Sequence, residues 1–295
     1  MRHRRGRLCA IARAALTPFV LALLAAAQQV QAGDRLLATG GVAEIEGSGG
    51  GGLTPWALIA GLGTDSQVGA SASCTRVRPQ NFALTSCGVA AGIDNRVELS
   101  LARQEFSLGD VAPGASITQT IVGAKVRLWG DAVTDQDRWW PQVAAGVQYK
   151  RNSDFDFIPR LIGAKSDHGI DSYLSATKIY LAGPFGRTWL VDVTLRATRA
   201  NQFGILGFGG DRDNGYSVVA EGSVAAFLTD NVILGAEYRQ KPNNLSAFRE
   251  DDAHDIFMSW FAIKNFSVTA AYVDLGNIAT HPDQRGLYLS LQASF

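Results

Sequence analysis

The residues able to do chemistry in this chain fall into a few small sets. The four histidines, His3, His168, His254 and His281, are scattered and show neither HxxH nor HExxH spacing. A zinc site is therefore not expected, since its ligands recur at short fixed offsets. A Ser/His pair would also need a third group to orient it, and no motif supplies one. The acidic run "REDDAHD" (249–255) could hold a divalent cation, or form a solvated loop that meets cations bound to lipopolysaccharide. "GSGGGG" (47–52) resembles a phosphate loop only in glycine content: no Lys-Ser/Thr follows it, and it reads as a flexible hairpin loop. The last set has mixed sign: Glu98, Asp192, Glu221 and Glu237 against Lys125, Arg127, Arg196 and Arg239. These eight are spread from residue 98 to residue 239 and act together only if the fold turns them to one side.

Alternation does that. Beyond residue 33 the chain reads with period two, the signature of strands with one apolar face. Val97, Leu99 and Leu101 oppose Glu98, Ser100 and Ala102, and the same sorting recurs around Lys125, Asp192 and Glu237. Tight turns of Thr/Asp/Asn/Lys type break the pattern in "GLGTDSQVGASA" (61–72), "AAGIDNRVELSLA" (90–102), "AAFLTDNVILGAEY" (225–238) and "FAIKNFSVTAAYV" (261–273). Asp and Asn suit such turns because they tolerate left-handed backbone. About 14 strands are expected, with 12 or 16 also compatible, and the first two at 36–46 and 53–63. At about 10–14 residues each they exceed the average soluble strand of roughly 5–6 and match a tilted bilayer crossing. Connections alternate between short and long, as in a transmembrane barrel with short periplasmic turns and long outer loops. The expected fold is an all-β, antiparallel, up-and-down transmembrane barrel. Its charged face must point to the lumen, because a basic side chain on lipid at mid-depth costs about 2–4 kcal/mol. Trp56, Trp129, Trp139, Trp140, Trp189 and Tyr288 lie near strand ends, where interfacial aromatics sit.

The N-terminus gives the compartment. Five of the 27 Lys+Arg lie in the first 13 residues with no acid among them, leaving 22 against 27 Asp+Glu beyond Ala32. A basic front, an apolar run from Pro18 to Ala27 and the small-residue site Val30-Gln31-Ala32 form a Sec-type signal peptide. Domains of 1–32 (signal peptide) and 33–295 (barrel) follow, and no basic patch calls for nucleic acid. In an oxidising compartment Cys74 and Cys87 can pair. Facing each other they leave Pro79–Phe82 as a four-residue loop, which favours a cross-strand disulfide near the outer rim, stabilising by about 3 kcal/mol in the chain-entropy model. Two free thiols slightly out of register are the alternative.

The closing stretch "GLYLSLQASF" (286–295) sets Leu287, Leu289, Leu291, Ala293 and Phe295 on one face. It resembles the signal that outer-membrane proteins present to the barrel-assembly machinery, and it places the chain end in the periplasm. "GDRLLATGGVAEIEG" (33–47) followed by "GGLTPWALIAGLGTD" (51–65) resembles the opening of an uncharacterised proteobacterial family of outer-membrane barrel proteins. That resemblance implies a Gram-negative envelope location and no assigned activity.

Three functions remain open. The inward charges could line a porin-like passive channel for small solutes, with loop 152–169 folded in as a constriction. They could pair across the lumen and fill it, making a structural barrel. Or an enzyme could carry a rim active site, for which no motif is present. Expected partners are outer-membrane lipid, lipopolysaccharide and the assembly machinery, with no cofactor and an oligomeric state the sequence leaves open.

Overall fold

The computed structural model describes residue 35 and residues 37–295; the expected signal peptide, residues 1–32, lies outside the described residues. Fourteen strands follow one another, but twelve make the wall. The first two, β1 (Val42–Ala43) and β2 (Gly49–Gly50), pair only with each other. The wall consists of β3 (Val68–Pro79), β4 (Ala83–Ile93), β5 (Val97–Ser107), β6 (Ser116–Trp129), β7 (Gln142–Asn152), β8 (His168–Tyr180), β9 (Trp189–Thr198), β10 (Ser217–Thr229), β11 (Val232–Arg239), β12 (Ala253–Ile263), β13 (Phe266–Asp274) and β14 (Arg285–Ser294). Each pairs antiparallel with its sequence neighbour. β14 closes the ring on β3, with Leu291 opposite Cys74.

Local chemistry explains the hairpins. Asp94 and Asn95 both adopt positive φ, 50° and 44°, and Arg96 N–H donates to the Ile93 carbonyl at 2.9 Å. Two left-handed residues give the turn whose twist matches a hairpin. The wall sorts by face as alternation requires. On β5, Glu98 and Ala102 are 1 % exposed while Leu99 and Leu101 are about half exposed. Such an exterior is apolar around the ring, with Val122, Val193, Leu234, Met258 and Leu289 all pointing outward. Trp129, Trp139 and Trp140 are exposed at the end of the barrel that holds Phe295, as an interfacial girdle would be. No helix among the described residues is long and apolar enough to cross a membrane.

The interior departs from the expected wall. Residues 36–46 and 53–63 are not wall strands: almost everything from Ala38 to Gly63 is buried inside the ring. This segment enters at the end of the barrel that holds Phe295, where Arg35 donates to the Ile59 carbonyl at 2.8 Å. It rises to a reversal at 44–48, closed by Glu44 N–H on the Ser48 carbonyl at 3.0 Å. It then returns to the same mouth, where Leu62 N–H donates to the Phe295 carbonyl at 2.8 Å. The turn at 64–66 is therefore the passage from this inner hairpin to the wall. Trp56 leaves the expected girdle as well: it is 2 % exposed in the lumen, its indole N–H on Ser223 Oγ at 2.9 Å. Tyr288 likewise faces inward and is buried.

Candidate functional site: a lumen filled by the chain's own N-terminal hairpin

The wall charges are set by strand parity, and the inner hairpin supplies what they bind. Glu237 on β11 accepts from the backbone N–H groups of Gly52 and Leu53, at 2.6 and 2.7 Å, and from the Thr54 hydroxyl at 2.7 Å. The glycine run at 47–52 thus cradles a carboxylate of its own wall. Only glycine fits there: a Cβ on Gly51 would stand 1.9 Å from Glu237 Oε1. Glu98 repeats the arrangement lower in the lumen, accepting from Gly49 and Ala60 N–H at 3.0 and 2.8 Å. Its counter-ion Lys125 lies 3.0 Å away and donates to the Gly49 and Trp56 carbonyls. Successive amides converging on an anion satisfy backbone groups that burial would otherwise leave costly.

The hairpin's tip carries the opposite relationship. Glu44 and Glu46 enter a basic girdle of Lys150, Arg196 and Arg239. Glu46 meets Arg239 at 3.0 Å and Arg196 at 3.3 Å, and is also paired to Lys150; Glu44 meets Arg239 at 3.1 Å. Glu221 and Asp171 complete the network from the wall, Glu221 on Arg196 and Asp171 on Lys150 at 2.7 Å. Every one of these side chains is at most 3 % exposed. Asp192 instead accepts from the Thr177 and Thr194 hydroxyls. Asp255, next to Glu237 in the ladder, has both carboxylate oxygens without a partner among the described residues.

Seven of the eight expected lumen charges thus stand buried in the lumen: Glu98, Lys125, Asp192, Arg196, Glu221, Glu237 and Arg239. Arg127 sits at the rim on the Phe295 side of the barrel, 3.4 Å from Asp65 and 3.6 Å from Asp131. Sequence reasoning missed Glu44, Glu46, Lys150, Asp171 and Asp255. Parity along β7, β8 and β12 marks the last three, and nothing in a strand pattern marks the first two.

The mouth opposite Phe295 is closed by residues 199–210, whose Phe203, Ile205, Leu206 and Phe208 are buried. Gln202 N–H donates to both oxygens of Glu250 at 3.0 Å, and Lys241 donates to Gln202 Oε1 at 2.9 Å. The expected constriction by loop 152–169 is corrected: that loop stays outside the lumen, its Lys165 and Ser166 amides on the Phe208 carbonyl of the closing segment. Two small cavities of about 10 Å³ each are found at the ends of the filled lumen. Cys74 and Cys87 are joined, directly opposite in register with Cα atoms 4.1 Å apart. The bridge lies midway along β3 and β4, not near the outer rim. Leu287, Leu289 and Leu291 face outward, and Tyr288, Ser290 and Gln292 face the lumen. The histidines are dispersed: His168 contacts Asp167, His254 lies 3.8 Å from Asp274, and His281 packs edge-on to Phe82.

Several solved outer-membrane barrel structures align with most of the chain. Among solved structures, the KdgM porin aligns over 76 % of this chain and 99 % of its own at 12 % identity, TM-score 0.49. The NanC porin aligns over 77 % and 98 % at 10 % identity, TM-score 0.45. Omp33 of Acinetobacter baumannii aligns over 78 % and 98 % at 12 % identity, TM-score 0.44. Likeness at this identity concerns the fold alone. No curated protein matches the chain in sequence. The family model described as "Protein of unknown function (DUF3034)" matches residues 39–292, which takes in nearly all of the inner hairpin and of the wall, and the chain belongs to that family.

Proposed function

We propose that the protein is an outer-membrane channel for small solutes that is closed at rest by its own N-terminal hairpin and conducts when residues 37–62 withdraw. The observation that carries this reading is the polar seam between hairpin and wall. Glu98 and Glu237 hold hairpin amides, and Glu44 and Glu46 hold wall cations. Withdrawal would leave a lumen whose charges and hydroxyls water solvates, set among apolar side chains such as Ile233 and Phe257, whereas a wholly apolar seam would leave a surface that collapses or dewets. Both ends of the hairpin lie at the periplasmic mouth, so it can leave without threading past the wall. Outer-membrane residence, export by a Sec-type signal and folding by the assembly machinery belong to this proposal, supported by the apolar exterior and the sequence of the chain's two ends. Catalysis is not part of it. A passive porin differs in having no resting plug, and a structural barrel in never releasing it.

Cross-linking separates the three. Thr54 Oγ1 and Ser223 Oγ are 2.6 Å apart, so the T54C/S223C pair can tie hairpin to wall. In planar bilayers the reduced pair should show openings that oxidation abolishes and reduction restores. Equal steady conductance in both states would favour a passive porin, and silence in both a structural barrel.

A further inference from the structure

On the outer surface of the wall, at the extracellular ends of β6 and β7, a cavity of about 1110 Å³ lies between the barrel and loop 153–167. Its floor is the outward face of the two strands, where Thr120 stands opposite Arg151 and Val122 opposite Tyr149. Val122 and Tyr149 are 51 % and 42 % exposed, continuing the apolar exterior that runs down the wall. The loop forms the opposite side, and it brings Arg160 and Lys165 to the same space as Arg151. The loop also exposes Phe157 and Leu161, the latter at 82 %. Apolar side chains on an outer loop at this height are suited to the lipid surface. Two carboxylates share the cavity: Asp167 lies 3.5 Å from Arg151 and Asp156 lies 2.9 Å from Arg160, Asp167 half-buried and the other three exposed. Exposed pairs of this kind are worth little, so a stronger anion can displace them.

We propose that this groove binds one phosphorylated glycolipid of the outer leaflet, of the lipid A type. Arg151, Arg160 and Lys165 would hold its headgroup phosphate, and an acyl chain would lie along Val122 and Tyr149. Three features select this occupant together. The groove stands where the outer-leaflet headgroups lie, which rests on the periplasmic placement of Phe295 taken in the proposed function. Its cations outnumber its carboxylates, and guanidinium groups match phosphate geometry. Its floor is continuous with the lipid-facing wall, so a ligand with acyl chains fits where a soluble anion gains only the upper half.

The test uses the full mature chain in detergent micelles, titrated with bisphosphorylated lipid A and read by native mass spectrometry. Heat-modifiable gel migration confirms that each variant is folded. One tightly bound lipid A is expected, weakened about tenfold or more in R151Q/R160Q/K165Q and unchanged in R78Q. Arg78 is an exposed outward-facing arginine at the same end of β3. Dephosphorylated lipid A should bind as weakly as the triple variant does. Equal affinity of wild type and triple variant for lipid A would overturn the proposal. So would equally tight binding of phosphatidylethanolamine, or complete displacement by millimolar inorganic phosphate.

Discussion

Glu237 shows how single residues decide the state of the lumen. Removing its carboxylate would leave two backbone N–H groups and a hydroxyl without an acceptor, at about 1–3 kcal/mol for each group left buried and unpaired. E237A should therefore loosen the hairpin while the wall persists. Amide exchange at Gly52 and Leu53 is expected to rise at least about tenfold, and unchanged protection there would contradict the cradle. Glu250 plays the corresponding part at the outer mouth. Burial pushes its carboxyl up to about 7, against the pull of Lys241 and the Gln202 amide. Because the folded value lies above the ordinary carboxylate range, its contribution to closure is fully present below about pH 4.5 and is lost as pH rises through about 7. Closure of 199–210 should thus weaken between pH 5 and 8, and E250Q should flatten that dependence. The measurement is protease sensitivity of the 199–210 segment across that range; a slope unchanged in E250Q would assign the effect elsewhere. At this scale parity made the wall charges legible, since Glu98 beside Leu99 can face only one way. Their partners were not legible, because a side chain's parity says nothing about a segment that enters the lumen from another part of the chain.

At the scale of elements, the inner hairpin imitates a wall strand. Val42, Glu44 and Glu46 alternate with Ala43 and Ile45, yet all five are buried, because the segment is surrounded on every side. Two signals mark the difference. Pro55 falls within the expected strand 53–63, and a strand paired on both edges has no place for a residue without an N–H. The stretch Trp56–Leu62 is also apolar throughout where a wall strand would alternate. The twelve true wall strands were readable because lipid and lumen impose opposite demands on neighbouring residues. The hairpin was not, because it meets a single mixed environment. Its tip nevertheless depends on charge. E44Q/E46Q leaves Arg196 and Arg239 short of counter-ions without changing side-chain volume much, and removing one partner of a buried pair costs roughly 3–5 kcal/mol. Single-channel recordings should show more frequent openings in the double variant than in wild type. An identical open probability would mean that the tip pairs do not hold the hairpin in place.

For the whole molecule, wall and hairpin are held differently. The wall is held by a closed hydrogen-bonded ladder and an apolar exterior, with no free edge. The hairpin is held by hydrogen bonds, ion pairs and apolar packing of Val42, Ile45, Leu53, Trp56 and Leu58 against the wall's inner face, and joined covalently at the Phe295 end of the barrel alone. Interactions of the second kind weaken with denaturant while a barrel ladder in lipid persists, so the molecule should come apart in two stages. In liposomes, rising urea should first expose residues 37–62 to a protease supplied on the side that carries Phe295, while the protein still migrates as a folded barrel on an unboiled gel. Loss of folded migration should follow only at higher urea. Oxidised T54C/S223C should merge the stages by delaying the first. If wild-type hairpin cleavage and loss of folded migration coincide at every urea concentration, the hairpin is an inseparable part of the barrel core. The filled lumen is then structural, and conduction would have to be abandoned as its role.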